Sequence, residues 1–482
     1  MQKNPYSKFF FEPSDLPLNQ FTHSFGQICA WMKDERYRSA WATFDLYVRE
    51  MPKNRNFLVF AGLEELVVHI KNLRFTKKDI ALLKRYGIID KDAERFLLDF
   101  KFSGNIYSMA EGDIFFPKEP IIIVEGPLLE VSLLEVYMMN LAAAYIPYTS
   151  KAARIKLAAG DLITAVGGGL RSFSFSDLRI DRAGSFYGDG NALVYLSIGA
   201  KVHDKKFMDS IKPVVNAQHF FISSYKDELT AMRAMTKTNF AKKIGISFMV
   251  DTYDFDQGLE NTITVGKEAA KKGIKLAGIY IDSQPLYENT LKARKRLNEE
   301  GFKDAVIKVC SNMDEYYIDD IMKRKPSIAT CEPILLVSAT QFVQLRDSPE
   351  IEAVFKISEL DFEDGEKIYG IKLSRGKEHY PAKKQVFRTF DRNGNILGDI
   401  IGLHDEPVEG TPLLKQVVKR GRVTAKIPAV DEVRPYAEKQ LGILTMKMKE
   451  LRKQHPSPVS YSKGLQELFN KVKEERLKKY SS

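Results

Sequence analysis

The chain has 482 residues, of which 44% are hydrophobic, and its 73 Lys and Arg against 63 Asp and Glu give a net charge of +10. This length exceeds what one hydrophobic core usually supports, so we expect two or three structural units with packed interiors. The basic residues are dispersed and form no arginine-rich tract with interleaved aromatics. That distribution favours a lysine-rich surface or an anionic small substrate over nucleic acid as a partner.

The three cysteines, Cys29, Cys310 and Cys331, have neither paired spacing nor nearby histidines. This pattern excludes a disulfide framework and a structural zinc site, and it predicts a reducing compartment. The first thirty residues carry no basic stretch followed by an apolar run. The apolar stretch from Leu133 to Ile146 is interrupted by polar residues and is too short to span a bilayer. We therefore predict a soluble, cytoplasmic protein with no membrane partner.

The first third of the chain predicts a mixture of helices and strands. Apolar residues at helical spacing predict a helix over residues 56–75, which ends in a basic turn. Short apolar runs separated by turn residues predict strands and hairpins over residues 105–131. A long apolar helix is expected from about residue 129 to 144, and it leads into the sequence TSKAARIKLAAG.

From there to about residue 345, buried strand-like runs alternate with amphipathic helical segments. The strand-like runs are ISFMVDTYD, IKLAGIYIDS, AVIKVCSN and ILLVSAT. This alternation predicts a parallel α/β unit, closed as a barrel or open as a doubly wound sheet. Because the carboxyl ends of parallel strands share one edge, the polar residues that end these runs should converge on one site. They are Asp251, Asp254, Asp282, Ser283 and Asn312.

After residue 350 the pattern again indicates hairpins. Asn393-Gly394 stands between two apolar runs and predicts a two-residue turn. The last fifty residues are basic and helical in pattern, which predicts a solvated helix face rather than a binding arm.

These segments, in this order, resemble the nicotinate phosphoribosyltransferase family over nearly the full chain. The segments that carry the resemblance are FLVFAGLEELVVHI, FSGNIYSMAEGDIFFPKEPIIIVEGPLLEVSLLE, TSKAARIKLAAG, VDTYD, KKQVFRTFD and RPYAEKQL. The resemblance implies a type II phosphoribosyltransferase-like fold. It comprises a mixed α/β domain over residues 1–130, an irregular α/β barrel over 131–345, and C-terminal strands and helices over 346–482 that pack on the N-terminal domain. It also implies a homodimer that forms nicotinate mononucleotide from nicotinate and phosphoribosyl pyrophosphate, with ATP and Mg²⁺, in NAD biosynthesis.

The resemblance assigns catalytic roles to two residues. His219, within VNAQHFFISSYKDE, stands at the family's histidine that ATP phosphorylates transiently. Imidazole suits this role because it is a neutral nucleophile near pH 7 and forms a high-energy phosphoramidate. The alternative is a core histidine bonded to a carbonyl. Asp282 stands where the family places a carboxylate near ribose or magnesium, although it could instead cap the following helix.

Substrate-binding roles follow in the same way. Phe25 stands at the family's tyrosine that stacks on the pyridine ring. Lys151 and Arg171 are expected to hold anionic substrate groups, and Asn191 and Ser283 match retained positions of the family's motifs.

Several positions depart from the family pattern. Ser172 replaces the second arginine of a Gly-x-Arg-Arg segment, and Tyr280 replaces the arginine of Arg-Leu-Asp-Ser-Gly-Asp. The sequence Thr330-Cys331-Glu332-Pro333 stands where a Gly-x-Gly-Thr loop is expected to bind the 5′-phosphate. Pro333 has no N–H to donate and Glu332 would repel a phosphate, so this segment argues against a phosphate site there.

Three hypotheses remain open at this point. The first is an active nicotinate phosphoribosyltransferase. The second is a paralogue that keeps the fold but has lost activity and acts as a binding or regulatory subunit. The third is an enzyme with a changed substrate, in which Glu332, His23 and Asp189 receive a cationic or polar group.

Overall fold

The computed structural model describes residues 17–18, 20–165, 178–188, 216–311, 313–324, 326–338, 342, 344–348, 350–428 and 430–481. The chain divides into two compact units. Unit 1 comprises Met1–Pro147, Glu350–Glu450 and Gln454–Ser482, and unit 2 comprises Tyr148–Pro349 and Leu451–Lys453. Within the described ranges, no helix is both long enough and apolar enough to cross a membrane.

The described residues form strands in both units. In chain order they are β1 (Trp41–Val48), β2 (Leu58–Val59), β3 (Asn105–Ser108), β4 (Ile114–Phe115), β5 (Ile122–Pro127), β6 (Ile163–Ala165), β7 (Asn216–Ala217), β8 (Ile246–Met249), β9 (Leu276–Ile281), β10 (Val306–Val309), β11 (Ile334–Val337), β12 (Ala353–Asp361), β13 (Lys367–Tyr369), β14 (Lys384–Phe390), β15 (Ile396–Leu403), β16 (Thr411–Pro412), β17 (Lys415–Lys419), β18 (Arg422–Val423) and β19 (Val459–Tyr461).

Helices connect these strands. In chain order they are α1 (Thr22–Met32), α2 (Glu35–Arg38), α3 (Leu63–Asn72), α4 (Lys77–Arg85), α5 (Lys91–Leu98), α6 (Leu128–Ser132), α7 (Glu135–Ala159), α8 (Leu178–Gly184), α9 (His219–Ser223), α10 (Glu228–Met235), α11 (Asn239–Ile244), α12 (Phe255–Ala270), α13 (Leu286–Glu299), α14 (Glu315–Arg324), α15 (Val430–Gly442) and α16 (Lys463–Ser481). A 3₁₀ segment, Pro326–Cys331, precedes β11.

Unit 1 is organised around an antiparallel sheet that joins distant parts of the sequence. Among the described residues its order is β13-β12-β1-β5-β3-β17-β18. Trp41 of β1 is paired with Pro127 of β5 on one side and with Asp361 of β12 on the other. Strand β1 therefore gains its second neighbour, β12, only when the chain returns more than 300 residues later. A second sheet, β16-β14-β15-β19, and the short β2-β4 pair belong to the same unit.

Buried charges in unit 1 connect the sheet that contains β14 and β15 to the short β2-β4 pair. The Arg388 guanidinium donates to both Asp399 carboxylate oxygens, at 2.9 and 2.6 Å, and to the Ile114 carbonyl at 2.6 Å. Glu119 lies beside this pair with 0% exposure, and its Oε2 accepts the Phe116 N–H at 2.9 Å. Burial first, and the Asp399 carboxylate second, raise the pKa of Glu119 well above 4.5.

Unit 2 has a parallel sheet in the order β6-β11-β10-β9-β8-β7 among the described residues. Strands β8 to β11 match the four buried runs predicted from the sequence, and helices α12 and α13 occupy two of the amphipathic segments between them. The parallel α/β prediction is confirmed. Over the described residues the sheet is an open row of strands rather than a closed barrel.

Three local predictions require correction. Residues 56–75 begin with β2, and the helix α3 occupies only Leu63–Asn72 because Gly62 stands before it with φ of 113°. The long apolar helix does not stop near residue 144: α7 continues through Pro147 to Ala159 and includes most of TSKAARIKLAAG. The turn at Asn393-Gly394 is longer than two residues, because the Asp391 carboxylate accepts the N–H groups of Asn393 and Asn395 and holds residues 391–395 as the loop.

We expect Glu119→Gln to make stability less dependent on pH. A carboxyl whose folded pKa is raised contributes stability that is complete below 4.5 and is lost as pH rises through the folded value. Glutamine keeps the acceptor oxygen but does not titrate. Urea unfolding between pH 5 and 9 should give a shallower decline for this variant than for the wild type. Glu363→Gln, at an exposed position, should retain the wild-type slope; equal slopes in all three proteins would contradict the expectation.

Candidate active site

His219 lies at the carboxyl edge of the parallel sheet. The short strand β7 ends at Ala217, Gln218 is the N-cap of α9, and His219 is its first residue. The imidazole side chain is 42% exposed, so a ligand can reach it. Its Nδ1 lies 3.0 Å from the Thr252 hydroxyl, and its Nε2 lies 3.9 Å from Asp251 Oδ1. The ring is thus oriented from the neighbouring strand end and is not packed in the core.

Asp251 connects two adjacent strand ends. It follows β8, and its Oδ2 accepts the backbone N–H groups of Asp282 and Ser283 after β9, each at 2.6 Å. Its side chain is 3% exposed, and Oδ1 has no hydrogen-bond partner among the described residues. One carboxylate therefore sets the position of the Asp282-Ser283 segment and faces His219 at the same time. The predicted convergence of Asp251, Asp282 and Ser283 is confirmed.

A second buried acid, Glu228, lies close enough to Asp251 to interact with it electrostatically. Glu228, the first residue of α10, is 6% exposed, and its Oε2 accepts from the Asn261 amide at 2.8 Å. Burial first, then the negative charges of Asp254 and Asp251, raise the pKa of Glu228. Two carboxylates near His219, those of Glu228 and Asp251, are therefore poorly solvated.

Lys151 is placed differently from the sequence prediction. Its ammonium is 3% exposed and forms ion pairs with Glu315 and, at 2.9 Å, with Asp347. The Arg154 guanidinium donates to the same Glu315 carboxylate at 3.0 Å. Two carboxylates of unit 2 already neutralise the charge of Lys151, and its role in binding an anionic substrate group stays a prediction.

The described structure does not test the remaining predicted residues as parts of this site. Phe25 belongs to unit 1, where its ring is 2% exposed and meets Phe75 edge to face at 6.1 Å. Stacking on a substrate would require that ring to leave this packing. Arg171 and Asn191 lie outside the described residues, as does Asn312.

The segment Thr330–Pro333 is not at the edge where a phosphate would bind. It precedes β11, so it lies at the amino edge of the sheet, opposite His219 and Asp282. The carbonyl of Cys331 accepts from Arg294 Nε, and that of Pro333 from Arg294 Nη2, at 3.1 Å each. The predicted equivalence of this segment to a phosphate loop is wrong. The carboxyl end of β11 leads instead into Ser338, whose hydroxyl donates to the Met313 carbonyl.

The donors at this edge fit a magnesium ion only together with a ligand. Among the described residues, no cluster of three or more His, Cys, Asp or Glu side chains could hold a metal ion by itself. Mg²⁺ is commonly bound by one or two carboxylates plus substrate phosphates and water. Asp282, half-buried at the strand end, is the predicted carboxylate that fits such shared coordination.

One residue of the site, Thr252, and one contact, between Asp251 and His219, were not expected from the sequence. Thr252 binds the imidazole, and Asp251 was expected at the strand end but without its link to His219. The signal was present in VDTYD, where polar residues follow a buried strand. The partner of each polar side chain depends on which strand lies beside it.

We expect Asp251→Ala to lower the free energy of unfolding by about 1–3 kcal/mol, because two backbone N–H groups lose their acceptor. Asp251→Asn keeps one acceptor oxygen and should recover most of this loss. Asp256→Ala is a suitable control because it removes only an exposed ion pair with Lys292, which contributes about 0–1 kcal/mol. Urea denaturation of the variants measures the differences. A loss no larger than that of the control would show that Asp251 does not hold the strand ends together.

Comparison with known proteins adds to this geometry. Family models for the nicotinate phosphoribosyltransferase (NAPRTase) N-terminal domain and the nicotinate phosphoribosyltransferase C-terminal domain match residues 25–143 and 407–469. The nicotinate phosphoribosyltransferase of Bacillus subtilis (strain 168) is 28% identical over an alignment 482 positions long, which covers 94% of this chain and 94% of that protein.

Solved structures show the same fold. Human nicotinic acid phosphoribosyltransferase has a TM-score of 0.76 at 20% identity, covering 94% of this chain and 99% of that one. Nicotinate-nucleotide pyrophosphorylase from Pyrococcus furiosus has a TM-score of 0.66 at 18% identity, covering 92% and 98%. The predicted fold class is confirmed by these likenesses. The family models at both ends of the chain and the relative that matches nearly its full length support its assignment to the nicotinate phosphoribosyltransferase family of enzymes.

Proposed function

We propose that the protein forms nicotinate mononucleotide from nicotinate and phosphoribosyl pyrophosphate, coupled to ATP hydrolysis, in NAD biosynthesis. The observation that carries this proposal is the placement of His219. It is exposed at the carboxyl edge of a parallel sheet, and two side chains from the adjacent strand end orient its ring. A histidine with only a structural role would need neither exposure nor a free ring nitrogen.

The contacts of the imidazole support a nucleophilic role. When Nδ1 carries the proton and donates to the Thr252 hydroxyl, Nε2 is the ring nitrogen whose lone pair can attack phosphorus. Attack on the γ-phosphorus of ATP forms an N–P bond as the bond to the bridging oxygen breaks, and ADP leaves with that electron pair. The ring becomes positively charged as it donates electrons. The Asp251 carboxylate, 3.9 Å from Nε2, stabilises that charge.

The adjacent strand end supplies the groups for the sugar phosphate. Asp282 and Ser283 are held by their backbone N–H groups, which leaves the Asp282 carboxylate and the Ser283 hydroxyl to bind ligand. Mg²⁺, held by Asp282 together with phosphate oxygens, would neutralise the charge of the pyrophosphate leaving group. Because the backbone of both residues is fixed, these side chains need little reorganisation when the substrate binds.

The hypothesis of a degenerate paralogue loses its strongest argument. That argument places Glu332 and Pro333 in a phosphate loop, but both residues precede β11 at the opposite edge of the sheet. The arginine missing at Tyr280 still distinguishes this chain from the family pattern. A changed substrate that uses Glu332 is likewise not supported, because this residue does not face the His219 edge.

Other properties extend the proposal. The homodimer, the requirement for Mg²⁺ and ATP, the cytoplasmic location, and the roles of Phe25, Lys151, Arg171 and Asn191 are carried over from the family resemblance.

The central test measures nicotinate mononucleotide formed from labelled nicotinate, phosphoribosyl pyrophosphate, Mg²⁺ and ATP. We expect the wild type to form product and to retain acid-labile phosphate from γ-labelled ATP. His219→Ala should lose the bound phosphate and the stimulation by ATP, while His455→Ala, at a histidine bonded to Glu450, should keep both. No product from a folded wild-type protein would favour the degenerate paralogue. Product formed without any effect of His219→Ala would exclude the phosphohistidine.

We expect Glu332→Gln to leave the KM for phosphoribosyl pyrophosphate within about twofold of the wild type. The four residues of β11 separate this carboxylate from the opposite edge by roughly 13 Å, beyond the distance at which exposed charges interact strongly in salt. Steady-state kinetics at physiological ionic strength measures the effect. A KM that falls strongly on removal of the negative charge would restore the phosphate-loop assignment.

A further inference from the structure

Lys308 is a buried cation inside the parallel sheet of unit 2. It lies in β10 and is 4% exposed. In the sheet register it stands beside Tyr280 of β9 on one side and Leu335 of β11 on the other. Its ammonium lies 4.5 Å from the centre of the Tyr280 ring, which gives a cation–π contact.

The two faces of the sheet around Lys308 differ in how far they are exposed. Ile279, Ile281, Ile307 and Val309 alternate with Tyr280 and Lys308 along their strands, and all four are 0% exposed. Tyr280 and Leu335, on the face of Lys308, are half-buried. One face is therefore fully covered, and the face that carries Lys308 is the more open one.

No carboxylate among the described residues neutralises Lys308. The titratable groups that face it are the Tyr280 phenol and the Cys310 thiol. Burial lowers the pKa of Lys308 to about 8, and burial also raises the pKa of Tyr280, so the phenol is neutral. An ammonium in this environment costs several kcal/mol unless an anion pairs with it. Lys151 in the same unit shows the contrasting case, since two carboxylates surround it.

The position of Lys308 selects among the anionic groups of the proposed substrates. Asp282 and His219 mark the edge where ribose and phosphates are expected, and Lys308 is paired with Tyr280, two residues before Asp282. Two residues of strand correspond to roughly 6–7 Å. A group bound there lies deeper than the strand ends. The nicotinate carboxylate is a single negative charge on the flat end of the molecule, opposite the 5′-phosphate, and it matches a single buried ammonium.

We propose that Lys308 binds the carboxylate of nicotinate and selects the acid over the amide. This inference rests on the proposed function. It also accounts for Tyr280 in place of an arginine, because the positive charge is supplied by the neighbouring strand and the tyrosine ring supports it. Lys308 contacts substrate in this arrangement and determines specificity, whereas the phosphoryl chemistry remains at His219.

Equilibrium binding tests the proposal without requiring turnover. Nicotinate mononucleotide carries a carboxylate on its ring where nicotinamide mononucleotide carries a carboxamide, and the two molecules have the same ribose and phosphate. We expect Lys308→Met to weaken binding of nicotinate mononucleotide by about 10- to 100-fold, as for a lost charged hydrogen bond. Binding of nicotinamide mononucleotide should stay within about twofold. Lys295→Met removes an exposed lysine of α13 and should bind both ligands as the wild type does.

The pH dependence gives a second readout. Because the ammonium form binds the carboxylate, wild-type affinity for nicotinate mononucleotide should fall as pH rises above about 8. Lys308→Met should lose this dependence, and Lys308→Arg should retain binding at higher pH because guanidinium stays protonated. A purely structural lysine predicts a lower melting temperature for Lys308→Met, whereas removal of an unpaired buried charge should leave it unchanged or raised.

The outcomes separate this inference from the proposed function. If Lys308→Met weakens binding of both mononucleotides equally, the lysine binds their phosphate, and the assignment to the nicotinate carboxylate is overturned. Unchanged binding of both, or no binding of nicotinate mononucleotide to the wild type, would overturn it as well. If Lys308→Met weakens binding of nicotinate mononucleotide alone, and the wild type forms no product in the activity assay, the role of Lys308 is supported while the proposed catalytic activity is contradicted.

Discussion

The Asp251 carboxylate accepts the backbone N–H groups of Asp282 and Ser283 with one oxygen and faces the His219 ring with the other. The other features of the candidate site depend on this arrangement. Parallel strands β7, β8 and β9 bring the starts of the loops that follow them to one edge, but the sheet does not by itself fix the path of each loop. Asp251, in the loop after β8, fixes the start of the loop after β9, because leaving either of the two N–H groups unpaired costs free energy. The same carboxylate lies 3.9 Å from Nε2 of the His219 ring.

Unit 1 uses buried charges for a different purpose. Glu111 Oε1 accepts the N–H groups of Gly62 and Leu63 at 2.9 Å each, which fixes the start of α3. Arg388 connects β14 to Asp399 and to the Ile114 carbonyl of β4. All of these residues except Asp399 come from the long motifs that carried the family resemblance. Those motifs therefore define the scaffold, and their presence says more about the fold than about catalysis.

Charge at the site depends on pairing rather than on residue type. Lys151 was predicted to meet an anionic substrate, but Glu315 and Asp347 neutralise it. Lys308 was not singled out, yet it lies buried beside an uncharged ring. A lysine in a buried strand gives no local signal of its partner. The face of the sheet and the neighbouring strands decide whether the charge is neutralised or remains available to a ligand.

The sequence by itself determined the alternation of strands and helices in unit 2, the strand-end positions of Asp251, Asp282 and Ser283, and the family. Those features follow from local hydrophobic periodicity and from long motifs, which can be read residue by residue. Only the tertiary structure decided that Thr330–Pro333 lies at the amino edge of β11, that β12 completes the sheet beside β1, and which lysine is unpaired. These outcomes depend on contacts between residues tens to hundreds of positions apart, and no local pattern encodes which strand will become a neighbour. Helix ends departed from the pattern for the same reason, since tertiary packing carries α7 through Pro147.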